Sequence, residues 1–248
     1  MRLRQVALVA REFDSTRDAL YRLLGVDEGF VDEGVSTFGL QNIVIAIGDT
    51  FLEVVSPVQD GTTAGRLLDR RGGDGGYMAI VQVEDLAKEN DRLLQTDIRK
   101  AWEVDTGKAS AIHLHPRDVP GAIASLDQMI PPQEWYWAGP GWQERGARHV
   151  SAITGIQVQL TDPEAGASRW AEAYNRELTL RDGLFVLQFD EGEVRFSGVE
   201  DGRGDGLAQV DLLATDTDAI LQAAGELGLP ATDSSVTVCG TVLNLHSS

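Results

Sequence analysis

Apolar and polar positions along the chain switch between a period of two and helical spacing, and the same cycle recurs four times. In the first cycle QVALVA reads as a strand. Asp14 or Ser15 then caps a helix that carries Leu20, Leu23 and Leu24 on one face and stops at Gly25. VSTFGL, NIVIAI and TFLEVV follow as strands, and Gly48-Asp49 turns the last two into a hairpin. The second cycle opens with YMAIVQV, places Leu86, Leu93 and Leu94 on a helix from about Asp85, and continues through RKAWEV, AIHLH and AIASL. TGIQVQL opens the third, with Asp162-Pro163 as N-cap and first-turn proline, then Trp170, Ala173 and Tyr174 on the apolar face. The fourth runs from LAQVDLLA through a helix ending at Gly228 to SVTVC and TVLNL.

A supersecondary unit repeated four times constrains the fold more than local propensity does. The pattern predicts a first paired domain over residues 1–130, bearing the site, and a second over 148–248 with a structural role. Between them, PPQEWYWAGPGWQERGAR is rich in Pro, Gly and Trp and reads as a linker over 131–147. Tryptophans are costly to leave in water, so this segment is expected to pack over something, either the space between domains or the wall of a pocket. RRGGDGG from Arg70 and GVEDGRGDGL from Gly198 read as joints between units.

Composition removes whole classes of function. A formal net charge of -18 argues against nucleic acid and against anionic membrane, both of which need concentrated Lys and Arg. One cysteine excludes an intrachain disulfide and any cysteine-based zinc site. No apolar run approaches a membrane span, and the first residues lack a signal-peptide core, so a soluble cytoplasmic protein is expected. A small-molecule ligand or substrate is the expected partner, and a homodimer is compatible with the sequence. No nucleophile elbow, zinc-binding helix or dinucleotide fingerprint occurs.

The candidate chemistry lies on two strands. In AIHLHPRDVPGAIASLDQ, alternation sets His113 and His115 on one face, opposite Ile112 and Leu114. Ile123, Ser125 and Asp127 share a face on the next strand, so a hairpin brings His113 near Ser125, with Asp127 positioned to fix a histidine tautomer. Glu53 sits among Phe51, Leu52, Val54 and Val55, where a carboxylate must be paired, hydrated or raised in pKa, and a raised pKa suits proton abstraction. Arg117 is a candidate clamp for a substrate carboxylate or phosphate. Trp135 and Trp137 are candidate substrate contacts.

Four βαβββ units resemble the vicinal oxygen chelate superfamily, which includes glyoxalase I, methylmalonyl-CoA epimerases, extradiol dioxygenases and bleomycin-resistance proteins. TFLEVVSP is similar to that superfamily's fourth-strand LE-x-x-x-P element, and the histidine stretch is similar to the end of the second unit in the epimerases. The resemblance implies an α+β fold in which units pair into two cup-shaped mixed sheets with helices on the convex faces. It further implies acid-base chemistry beside a carbonyl, of isomerase, epimerase, lyase or hydrolase type. The alternative is metal-free binding or drug sequestration.

At the positions where the superfamily carries metal ligands, the first cup has Gln5, Glu53, Met78 and Ser125, and the second has Gly155, Phe196, Gln209 and Asn244 or its neighbour. A thioether and a hydroxyl are poor ligands for hard divalent ions. The expectation is therefore no cofactor, with Gln5, Met78 and Ser125 lining the substrate. A divalent ion on Gln5, Glu53 and His115 is the alternative.

Overall fold

The computed structural model describes residues 1–247. The first sheet is built from β1 (Arg2–Val9), β2 (Leu40–Ile47), β3 (Thr50–Pro57), β4 (Gly75–Gln82), β5 (Lys100–Asp105), β6 (Ala109–Leu114) and β7 (Ile123–Met129). Their order is β2-β3-β1-β4-β7-β6-β5. The second sheet uses β8 (Val150–Leu160), β9 (Leu178–Arg181), β10 (Leu184–Gln188), β11 (Glu193–Gly198), β12 (Gly206–Ala214), β13 (Ala231–Thr232), β14 (Ser235–Val238) and β15 (Thr241–Ser247). Here the order is β13-β14-β15-β12-β8-β11-β10-β9.

One pairing scheme generates both sheets. In the first, β1 is parallel to β3, antiparallel to β4, and β4 is parallel to β7. In the second, β8 is parallel to β11, antiparallel to β12, and β12 is parallel to β15. The fold is α+β with two mixed sheets, as the repeat predicts, and neither sheet closes into a barrel.

Helices α1 (Phe13–Leu24), α2 (Thr63–Arg71), α3 (Leu86–Leu93), α4 (Pro163–Tyr174) and α5 (Thr217–Leu227) connect the strands. Gly25 ends α1 at a φ of 68°, a left-handed conformation that favours glycine, and its N–H bonds the Tyr21 carbonyl. Asp162 caps α4 by accepting the Ala165 N–H, with Pro163 in the first turn where no N–H is needed.

Two local expectations are corrected. VSTFGL is a 3-10 helix, Glu33–Phe38, because Asp32 accepts the Gly34 N–H and Gly39 turns the chain at a φ of 69°. The first sheet therefore has seven strands instead of eight. RRGGDGG is not a plain joint, since Arg70 and Arg71 close α2, which Thr62 starts by accepting the Gly65 N–H, and Gly75 and Gly76 open β4.

Alternation along each strand divides the interior in two. Val6, Leu8, Leu52, Val54, Ala79, Val81, Ala124 and Leu126 face the helices, and this cluster runs without a break into Ile156, Val158, Trp170, Tyr174 and Val210 of the second half. The indole N–H of Trp170 donates to the Pro120 carbonyl at 2.8 Å, and the Tyr174 hydroxyl donates to the Ser125 carbonyl at 3.1 Å. Both rings are fully buried, and at about 200 Å² each such burial stabilises by on the order of 5 kcal/mol per ring. The opposite face of the first sheet carries a separate cluster that includes Val44, Phe51, Val55, Tyr77, Met78 and Ile80, and it is this face that opens into a cavity.

Candidate active site

The cavity in the first cup encloses about 780 Å³, within the range of small-molecule sites. Glu53 reaches it because Phe51, Glu53 and Val55 alternate with the helix-facing Leu52 and Val54. Its carboxylate is 6% exposed and both oxygens are held, Oε2 by the Gln5 amide at 2.9 Å and Oε1 by the Asn42 amide at 2.6 Å. Neither amide is free to turn. The Gln5 carbonyl accepts the Trp135 indole N–H at 2.6 Å, and the Asn42 carbonyl accepts the Asp32 backbone N–H at 3.0 Å. Each therefore presents its NH₂ to the carboxylate. Burial still outweighs the two donors and pushes the Glu53 pKa up to about 7.

Asp127 projects from β7 on the face shared by Ile123 and Ser125. The Ser125 hydroxyl and the Trp137 indole N–H donate to it, the latter at 2.7 Å. Burial raises its pKa to about 7 as well. Two strands, β1 and β4, separate β3 from β7. At about 4.8 Å per strand, the backbones bearing Glu53 and Asp127 lie roughly 14 Å apart.

His113 pairs with Ser125 across β6 and β7 and with Trp102 across β5 and β6. Its ring lies 4.6 Å from the Trp102 ring and 6.3 Å from Phe38, centroid to centroid. Burial lowers its pKa to about 4, so the imidazole is neutral at physiological pH. Phe38 precedes one edge strand of the sheet, β2, and Trp102 belongs to the opposite edge, β5. Their 5.1 Å edge-to-face contact joins the two edges over the cavity.

Gln5, Met78 and His115 also line the cavity, as does Trp137. The other predicted contacts stand outside its wall. Ser125 is fully buried beneath Asp127. Arg117 is an exposed turn residue, its N–H bonded to the His115 ring. Trp135 stacks on Phe51 and acts on the site only through Gln5. The expected Asp127–histidine pair is corrected too, since Asp127 has Ser125 and Trp137 as partners and neither histidine.

Sequence reasoning missed Tyr77. A bulge between β1 and β4, at Ala7 and Leu8, brings its buried ring onto the concave face beside Met78, and bulges break the alternation from which faces are read. Laying YMAIV over QVALV would have set Tyr77 level with Gln5. Phe38 and Trp102 were hidden in segments read as ordinary strands. In the second sheet Phe196 belongs to the helix-side core, 5.7 Å from Trp170, so the inward residue is its neighbour Arg195, paired with Asp211 at 2.5 Å.

The donor set does not fit the divalent ion that such a cup holds in the resembling family. Glu53 already accepts two amide hydrogens, the Gln5 oxygen faces an indole, Met78 offers a thioether, and the Ser125 hydroxyl is spent on Asp127. Among the described residues no group of three or more His, Cys, Asp or Glu side chains could hold a metal. No described helix is long and apolar enough to cross a membrane.

No family model matches the chain. Over 132 residues it is 23% identical to an ethylmalonyl-CoA/methylmalonyl-CoA epimerase of Cereibacter sphaeroides, spanning 52% of this chain and 98% of that one. A hypothetical protein from Staphylococcus aureus superposes over 100% of this chain and 99% of its own, with a TM-score of 0.68 and 12% identity. A substituted 4-hydroxymandelate synthase from Streptomyces coelicolor covers 94% of this chain with 76% of its own, at a TM-score of 0.69 and 14% identity. In its two mixed sheets and in these likenesses, the chain has the fold of the vicinal oxygen chelate superfamily.

Proposed function

We propose that the first cup binds a small carbonyl compound and that Glu53 removes a proton from the carbon next to the carbonyl. The observation that carries this reading is the locked carboxylate on the cavity wall. It is fixed by two oriented amides and titrates near neutrality, where a general base combines availability with driving force. Tyr77 keeps its proton, because burial and the nearby Glu53 raise its pKa, and a neutral His113 retains one N–H. Such neutral donors suit an oxygen that gains negative charge as the proton leaves. The reaction class is then enolisation, as in an epimerase or isomerase, without the family's usual metal.

The test is deuterium incorporation, followed by proton NMR in D₂O, into a panel of α-branched thioesters and aromatic ketones. Exchange by the wild type that drops at least about 100-fold in Glu53→Gln supports the reading. Exchange that survives in Glu53→Gln overturns it. The apolar walls and the aromatic bridge between sheet edges favour a second reading, ligand sequestration, which predicts saturable binding with no exchange in any member of the panel.

A further inference from the structure

We infer that the ligand of the first cup is an uncharged aromatic carbonyl compound, and that carboxylate-bearing acyl thioesters of the epimerase type are excluded from it. The inference rests on the reading of this cavity as the ligand site, though not on any reaction there.

The charges on the wall support it first. Three carboxylates line the cavity: Asp32, Glu53 and Asp127. Arg66 is the one Lys or Arg among the lining residues, and it is exposed, with its guanidinium turned to the Gly61 carbonyl at 2.5 Å and the Thr63 hydroxyl at 2.8 Å. His113 is half-buried between aromatic rings with no acidic partner and supplies no cation. A ligand carboxylate drawn inside would lose its water and meet the buried Glu53 and Asp127 carboxyl groups, with Arg66, already bonded to Gly61 and Thr63, as the one cation on the wall. Bidentate arginine recognition, the usual means of holding a carboxylate, would require Arg66 to leave the Gly61 carbonyl and the Thr63 hydroxyl.

Shape and the remaining donor support it next. The end of the cavity at β5 and β6 is walled by the rings of Phe38, Trp102 and His113, and Trp137 stands beside Asp127. Flat faces of this kind favour stacking of a planar ligand. Tyr77 is 93% buried, by its 7% exposure, and lines the cavity, yet its hydroxyl has no hydrogen-bond partner among the described residues. That hydroxyl keeps access to the cavity and is free to donate, and a ligand carbonyl oxygen is an acceptor that suits it.

The experiment compares two fluorescent probes at pH 8. One is 6-propionyl-2-(dimethylamino)naphthalene, a neutral aromatic ketone whose emission shifts to the blue when it leaves water. The other is 6-(dimethylamino)naphthalene-2-carboxylate, which carries the same ring with an anion in place of the ketone. The expected result is saturable, blue-shifted binding of the ketone at least ten-fold tighter than the carboxylate. Tyr77→Phe should weaken the ketone about three- to ten-fold. Glu53→Gln combined with Asp127→Asn should narrow the gap between probes, while thermal melts confirm that each variant is folded.

Equal or tighter binding of the carboxylate overturns the inference. So does absence of saturable ketone binding, or displacement of the ketone by methylmalonyl-CoA at lower concentration than by unlabelled 2-acetylnaphthalene. If the probe preference holds while deuterium exchange is absent, the ligand class stands and the enolisation reading fails. The reverse outcome separates them the other way.

Discussion

Replacing Glu53 with Gln tests the electrostatics of the site through stability, with no substrate required. The carboxyl titrates near 4.5 when solvated and at about 7 in the fold, where burial outweighs the Gln5 and Asn42 amides. Its pKa is raised on folding, so the native state carries no charging penalty below about pH 4.5. The penalty accumulates as pH rises through 7. At 1.36 kcal/mol per pKa unit, the shift makes the wild type lose roughly 2–3 kcal/mol between pH 5 and pH 8 on account of this one group. A glutamine at 53 does not titrate. It faces an amide donor where an acceptor was needed, a cost of about 1–3 kcal/mol that is independent of pH. Urea unfolding of both proteins at intervals from pH 5 to 8.5 isolates the titrating part as the change in their difference. Asp127 has a raised pKa too, but it contributes equally to both curves and cancels. The expected outcome is a variant whose relative stability improves by 2–3 kcal/mol across that range. Parallel curves would refute the argument that Glu53 is ionised against a desolvation cost.

Trp135→Phe removes the indole that orients Gln5 and leaves a buried amide oxygen without a donor; it should cost about 1–3 kcal/mol in urea unfolding and shift the Glu53 titration, and an unchanged titration would show that Gln5 is held by something else. Gly76→Ala should destabilise by about 1–3 kcal/mol, since a Cβ there meets the Leu207 side chain at 2.5 Å and its carbonyl oxygen at 2.6 Å; a melting temperature equal to the wild type would mean that the two sheets separate easily at this point. His113 should remain neutral in ¹⁵N-resolved imidazole NMR down to about pH 5, and its stabilising contribution, present above the ordinary histidine range, should be lost as pH falls toward 4; a titration near 6.5 would place the ring in water.

Period-two alternation is a strong signal where a sheet has helices on one side only, and it placed Glu53 on TFLEVVSP and His113 on AIHLH on the concave face, where both lie. The same rule failed at Tyr77, because a bulge shifts the phase of a strand without marking its sequence. It also failed at Phe196, where a one-residue slip exchanges a core phenylalanine for the inward Arg195. The role of Trp135 could not be read at all. It depends on a hydrogen bond spanning 130 positions, and no local pattern encodes which of several tryptophans will meet a glutamine near the start of the chain. VSTFGL carried strand-like residues, but capping by Asp32 and the turn at Gly39 decided its conformation.

The Tyr174 hydroxyl, on a helix of the second half, bonds the carbonyl of Ser125, whose side chain in turn holds Asp127. The half of the chain without the large cavity is thereby a mechanical foundation for the half that has it. Its inward face is free to diverge, but its helices are not. Sequence drift after duplication should accordingly be recorded unevenly, with Trp170 and Tyr174 slow to change and the polar residues around Asp211 changing faster. An attempt to shrink the protein to its first 147 residues should yield a chain with an exposed apolar back and a slack β7. Restoring the ligand site in such a fragment would require a new cover for that surface before any redesign of the cavity.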